Sequence, residues 1–185
     1  MQTTPEPEVS VPSSWVHRFL PLIPAGGRVL DLAAGRGRHA RLLRGNGYQV
    51  VAVDRDAAAL RAALSGDAAA QIVEMDLEDG GSWRLGDGYA GIVVTNYLHR
   101  PLLPGLAAAL AADGVLIYET FMVGNERFGR PTSPDFLLRQ GELLAAFIGR
   151  LAIVAFEQGS VVMPRPAVVQ RIVAVKGEAG RLPPA

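Results

Sequence analysis

Apolar residues in this chain fall into short, mostly apolar runs, separated by stretches in which they recur at helical spacing. Residues 29–32, 48–53, 71–75, 92–95 and 115–118 are the runs, rich in valine, isoleucine and leucine and mostly bounded by glycine, asparagine or aspartate, as buried strands are. Between and around them the pattern predicts helices. Ser13 or Ser14 can cap one ending at Phe19, and another follows Gly37 and runs to Arg44, where Gly45-Asn46-Gly47 stops it. An alanine-rich helix is expected over residues 57–64, and a further one over 101–112, with Pro101 in its first turn and Asp113-Gly114 ending it. Residues 142–148 predict the last helix, and residues 151–157 and 168–176 two final strands joined through Pro164-Arg165-Pro166. Such alternation of strand and helix argues for a parallel sheet with helices on both faces.

Residues 119–134 break the pattern with glycines, aromatics and charges. Long loops in compact domains are more often functional than idle, and this one leaves the carboxyl end of a predicted strand, where open α/β sheets bind ligands. It is expected to form a lid or substrate wall. Residues 13–176 read as a single domain, with a disordered start at 1–12 and a mobile tail at 177–185 expected on either side.

The first predicted strand carries the most chemistry. Val29-Leu30-Asp31-Leu32-Ala33-Ala34-Gly35-Arg36-Gly37-Arg38-His39 runs from an apolar strand through an acid into a tight glycine turn that opens a helix. Glycines there let the backbone take positive φ and approach a ligand, while the helix directs free N–H groups to the same place. Gly35, Gly37 and Ala40 also satisfy the G-x-G-x-x-G/A fingerprint of nicotinamide binding, so the turn alone suits more than one nucleoside cofactor. Asp54 ends the second strand, where a carboxylate can take both ribose hydroxyls or cap the next helix. Asp76 ends the third, and Asn96-Tyr97 the fourth.

This order of features resembles the class I S-adenosylmethionine-dependent methyltransferases, over residues 27–176. An acid inside the first strand, ahead of Gly35, is expected in that family and is not required by the nicotinamide fingerprint. The resemblance implies a Rossmann-like doubly wound sheet of seven strands, mostly parallel, with an antiparallel hairpin at its C-terminal edge. It further implies that Asp31, Ala33, Gly35 and Gly37 surround the methionine end of S-adenosylmethionine, with Asp54 on the ribose hydroxyls and Asp76 at the adenine amine. Asn96 joins this cofactor-binding set. In size and motif order the chain is similar to the small bacterial methyltransferases of the tellurite-resistance and thiopurine type, which implies a small-molecule acceptor. Two positions depart from the family pattern: Ala33 stands where its first glycine usually does, and Asn96-Tyr97-Leu98-His99 replaces the N/D-P-P-Y/F of many amino-nitrogen methyltransferases. The second departure argues against adenine or glutamine as acceptor.

His99, Tyr97 and Glu119 are the candidate catalytic residues near the rim, with His39 behind them; imidazole titrates near neutrality, whereas an ordinary tyrosine does so near pH 10. Tyr97 suits packing over cofactor or substrate, and Glu119, ending a buried strand, needs a partner. Arg100 is a candidate clamp for an acidic substrate, and Arg127, Arg130 and Arg165 for the substrate side, although a solvated arginine is the default. His17, His39 and His99 are scattered without metal-ligand spacing, so no metal site is expected. Trp15 and Trp83 read as packing anchors or interface residues.

Composition narrows the classes further. Eighteen lysines and arginines balance eighteen aspartates and glutamates, which leaves no overall field to draw the chain onto nucleic acid or an anionic membrane. With no cysteine, disulfides, thiolate metal sites and a cysteine nucleophile are excluded. No run is long and apolar enough to span a bilayer, and the expected setting is the cytoplasm. Two other function classes remain open on the residues alone: a nicotinamide-dependent oxidoreductase, and a non-catalytic cofactor-binding module that regulates a partner.

Overall fold

The computed structural model describes residues 11–80 and 83–178, so most of the two terminal segments expected to be disordered or mobile lies outside the described residues. Strands β1 (Arg28–Leu32), β2 (Gln49–Asp54), β3 (Ala70–Glu74), β4 (Tyr89–Thr95), β5 (Leu110–Phe121), β6 (Ala152–Val161) and β7 (Ala167–Val175) form one seven-stranded sheet in the order β3-β2-β1-β4-β5-β7-β6. β1 pairs in parallel with β2 and β4, β2 with β3, and β4 with β5. β7 runs antiparallel between β5 and β6. This is the doubly wound, mostly parallel sheet with an antiparallel edge hairpin that the sequence led us to expect.

Helices α1 (Ser14–Phe19), α2 (Arg38–Gly45), α3 (Ala58–Ala63), α4 (Leu103–Ala109) and α5 (Glu142–Phe147) cover the sheet. The two-residue alternation of the strands sorts side chains between its faces. Leu30 and Leu32 of β1 and Ile92 and Val94 of β4 enter one buried cluster with Leu106 of α4 and Phe147 of α5. Val29 and Val93 enter the other, with Trp15 and Phe19 of α1, Leu43 of α2 and Leu60 of α3. Each fully buried large side chain contributes about 1.5–3 kcal/mol relative to exposure, so both faces are needed to hold the sheet. Ser13 starts α1 by accepting the N–H of Trp15 at 3.1 Å, which places the indole on Phe19 with ring centroids 4.5 Å apart. Trp83 packs against Gly105, where an added Cβ would come within 2.8 Å of the indole. Among the described residues no helix is long and apolar enough to cross a membrane.

Three boundaries differ most from the sequence expectation. The helix expected to Ala112 starts as a 3₁₀ turn at Arg100–Leu102 and ends at Ala109, because Leu110 pairs with Tyr89 and joins β5. Strand pairing and the burial of Leu110 outweigh the helix preference of the alanine run. Asp113-Gly114 then forms an irregularity inside β5, with Asp113 at φ +59 and its N–H donated to Lys176 O at 2.8 Å. The loop expected from Glu119 begins later: Glu119, Thr120 and Phe121 remain in β5, opposite Arg171, Gln170 and Val169 of β7. The irregular segment itself contains 3₁₀ turns at Asn125–Arg127 and Pro134–Phe136. β6 also runs past the expected residue 157 to Val161.

Chain order turns back at β1, which has β2 on one side and β4 on the other. Open α/β sheets leave a crevice outside the carboxyl ends of the strands at such a reversal. The glycine turn after β1 opens there.

Candidate functional site

Ala33, Gly35 and Gly37 alternate along that turn in the left-handed region, at φ +53, +56 and +73. An alanine held there bears a cost of about 1–2 kcal/mol, so the turn keeps its glycine-like shape although Ala33 replaces the usual glycine. The two glycines serve different ends. A Cβ on Gly35 would meet no atom within 4 Å, which leaves its outer side open, whereas one on Gly37 would lie 3.1 Å from Leu60 Cδ2, where α2 packs on α3.

Asp54 connects the ends of β1 and β2. Its Oδ2 accepts the N–H of Gly35 at 2.7 Å and its Oδ1 that of Asp56 at 3.0 Å. The N–H of Ala58, at the start of α3, goes instead to Asp56 Oδ1 at 3.2 Å. Asp54 therefore braces the glycine turn, and the alternative that it merely caps α3 is not what the structure has. A cleft of about 290 Å³ opens beside it, lined by Ala33, Asp54, Asp76, Glu78, Tyr97 and Phe136. Asp76 is oriented by accepting the N–H of Glu78 at 2.9 Å.

Asp31 lies behind the turn, 1% exposed, with its Oδ2 buried and without a hydrogen-bond partner. Burial pushes its carboxyl up to about 7, against the pull of the Ala40 backbone and the Arg38 guanidinium. An oxygen of this kind is costly to hold in an apolar surround, and a cationic partner would repay it.

A second, larger cavity of about 640 Å³ includes Asn96, Glu119, Phe121, Arg38 and Arg165 in its lining. Asn96 and Tyr97 are neighbours at the end of β4, yet Asn96 faces this cavity and Tyr97 the smaller cleft. Asn96 takes φ +55, a conformation asparagine tolerates, and its N–H is donated to Glu119 O at 2.9 Å. The Glu119 carboxylate is held by Arg171, whose Nε lies 2.5 Å from Oε2, and Glu157 stands 3.6 Å from the same guanidinium. The partner that a buried Glu119 requires is thus Arg171.

Of the other catalytic candidates, Tyr97 has a buried hydroxyl, and burial first, with Glu78 and Asp76 nearby, raises its pKa far above the ordinary value. It keeps its proton at neutral pH. His99 precedes the 3₁₀ turn at Arg100–Leu102 without capping it, and it lines neither cavity. His39 is 2% exposed: its Nε2 accepts the N–H of Ser13 at 3.0 Å and its Nδ1 sits 3.3 Å from Thr95 Oγ1. That pattern assigns the neutral ring with the proton on Nδ1. Burial, aided by Arg38, lowers its pKa to about 3, so His39 is a neutral tie between α1, α2 and β4.

The half-buried Arg100 guanidinium is engaged within the chain. It forms a two-pronged pair with Glu142, Nε to Oε1 at 2.6 Å and Nη2 to Oε2 at 3.0 Å, and donates to the carbonyls of Asp135 at 2.8 Å and Leu137 at 2.9 Å. Those carbonyls flank Phe136, so Arg100 fixes the backbone that carries this ring into the cleft. No sequence signal marked Phe136. Arg127 bonds Ser160 Oγ at 2.9 Å, and among the expected substrate-side arginines Arg165 is the one that lines the larger cavity. Among the described residues no three histidine, aspartate or glutamate side chains gather as a metal site.

The comparisons with known proteins agree with this geometry. A family model described as a methyltransferase domain matches residues 8–132. Similar solved structures include TehB from Haemophilus influenzae, at 16% identity and TM-score 0.70 over 88% of this chain and 61% of that one. A TehB-like SAM-dependent methyltransferase from Corynebacterium glutamicum aligns at 20% identity and TM-score 0.61 over 88% and 86% of the two chains. The 1,6-didemethyltoxoflavin-N1-methyltransferase of Burkholderia thailandensis aligns at 18% identity and TM-score 0.62 over 89% and 76%. The chain spans less than two thirds of TehB, and at these identities the likeness is one of fold. No curated protein sequence matches the chain.

Proposed function

Because the chain belongs to the methyltransferase domain family, matched over residues 8–132, we propose that it transfers a methyl group from S-adenosylmethionine to a small-molecule acceptor. The observation that carries this reading is the pair of cavities on either side of the β4 end, one reached by Tyr97 and the other by Asn96. A transfer between two bound molecules needs two such compartments, with a shared border where the reacting atoms meet. The family match leaves the nicotinamide reading of the glycine turn without support.

The residues fit the cofactor. Asp54 and Asp76 share the smaller cleft, where the one suits ribose hydroxyls and the other the adenine amine, with Tyr97 and Phe136 as aromatic walls. The unpartnered Oδ2 of Asp31 lies behind the same turn and suits the ammonium of the methionine end. When bound, the cofactor supplies a methyl group already made electrophilic by its sulfonium. The chain's own residues then act by alignment and by exclusion of water, and alignment alone is worth several kcal/mol of barrier. Tyr97 holds its proton and the Glu119 carboxylate is engaged by Arg171, so neither is a free base; Tyr97 borders the cofactor side and Glu119 the acceptor side as walls. A small acceptor is favoured by the size of the 640 Å³ cavity, and by the Burkholderia thailandensis structure, which holds bound 1,6-didemethyltoxoflavin and S-adenosylhomocysteine.

Calorimetric titration with S-adenosylmethionine, S-adenosylhomocysteine and NAD tests the reading. Saturable binding of the first two without the third is expected. Binding of NAD alone, or of none, overturns it.

A further inference from the structure

The lining of the larger cavity carries three arginines, Arg38, Arg165 and Arg171, against one carboxylate, Glu119. Arg171 is accounted for by Glu119 and Glu157. Among the described residues neither Arg38 nor Arg165 has a carboxylate within ion-pair distance, and the hydrogen bond of Arg38 goes to a backbone carbonyl, Val11 O, at 3.3 Å. The two come from separate elements, Arg38 from the first position of α2 and Arg165 from the connection between β6 and β7. Glu119 and Asp31 attract the Arg38 charge from beyond ion-pair distance, and Arg165 opposes it. Two guanidinium groups without an ion-pair partner, Arg38 half-buried and Arg165 exposed at the rim, give one cavity a positive wall that suits an anion.

The facing wall is apolar. Phe121 of β5 packs with Ala167 and Val169 of β7 and with Val161 of β6, and the Arg165 guanidinium lies 6.0 Å from the centre of the Phe121 ring. A guanidinium on an aromatic face keeps its edge free for a carboxylate while the ring continues the apolar surface. Glu119 limits the charge the site accepts, since it would repel a dianion more than a monoanion.

We infer that the larger cavity selects acceptors bearing a carboxylate on an apolar or aromatic body, the carboxylate held between Arg38 and Arg165 and the body against Phe121, Val161 and Val169. This rests on the methyltransferase reading of the same site. It assigns a chemical class to the acceptor and makes Arg165, outside the cofactor cleft, the residue that enforces it.

The full chain saturated with S-adenosylhomocysteine is titrated calorimetrically with three matched pairs: 4-hydroxybenzoate, phenylacetate and hexanoate, each beside its neutral amide. At least one acid is expected to bind on the order of tenfold tighter than its amide, the gain of a charge-assisted pair. Arg165→Gln should erase that preference with affinity for S-adenosylhomocysteine and for the amide unchanged, and Arg165→Lys should restore part of it. Phenyl phosphate should bind no better than the acids. Binding by none of the acids, equal binding within every pair, a preference that survives Arg165→Gln, or tighter binding of phenyl phosphate overturns the inference. If the unsubstituted chain fails to bind S-adenosylhomocysteine, the cofactor reading falls first; if it binds without any carboxylate preference, only the acceptor class falls.

Discussion

Asp54 Oδ2 accepts the backbone N–H of Gly35 at 2.7 Å, so the acid proposed to hold the ribose also fixes the turn that meets the rest of the cofactor. Asp54→Ala removes both effects. Affinity for S-adenosylhomocysteine should fall by about 1–3 kcal/mol, and the unfolding midpoint should drop with the lost turn bond. Asp54→Asn retains an acceptor for Gly35 and should recover the midpoint but not the affinity. Calorimetry and thermal denaturation of the two variants separate these contributions; unchanged affinity in a folded Asp54→Ala protein would remove Asp54 from the site.

Asp31 ties stability and binding to pH in opposite directions. Its folded pKa of about 7 lies above the ordinary 3.8, so its stabilising contribution is complete below pH 3.8 and is lost as pH rises through 7. Asp31→Asn should therefore be more stable than the parent at pH 8, by on the order of 2–4 kcal/mol. Ionised Asp31 is also the form that attracts a cation, so binding of S-adenosylmethionine should tighten between pH 6 and 8 in the parent and not in Asp31→Asn. Denaturant unfolding and titration across this range check both limbs.

His39 works the other way. With its folded pKa near 3 and an ordinary value of 6.5, the unfolded chain takes up a proton that the folded chain refuses, and stability declines as pH falls from 6.5 toward 3. His39→Gln can still accept from Ser13 and does not titrate. Its stability curve should be flatter over this interval, and an unaltered acid limb would count against the assignment.

Arg100 acts on the cofactor cleft through Phe136. Arg100→Ala should weaken S-adenosylhomocysteine binding about three- to tenfold, because the backbone around the ring loses two anchoring points, and Glu142→Gln should do part of the same. The double variant should fall short of the sum, since the two side chains form one network. Arg100→Lys should not rescue, because an ammonium cannot reproduce the fork. Additive losses measured by calorimetry would show the two residues to be independent.

The strands and the turn were legible because their signals are local. The apolar runs at residues 29–32 and 92–95 and the spacing of Gly35 and Gly37 are written within a few residues, as are the acids at successive strand ends. The start of β5 was hidden because residues 107–112 are alanine-rich around a single leucine, and only the distant Tyr89 decides that Leu110 pairs as a strand. Arg100 and Phe136 were illegible for a similar reason: the bonds that join them cross to a segment 35 and more residues away. His39 looked like a rim histidine until its partners, Ser13 and Thr95, closed around it.

The antiparallel β6–β7 pair sits at one edge of the sheet, and Arg165 lies on the connection between its strands. A change there leaves the register of β1, β2 and β4 untouched. Inheritance can therefore vary the guest without disturbing the host: residues 162–166 can change while Asp31, Asp54 and the glycine turn, proposed to hold the methyl donor, keep their places.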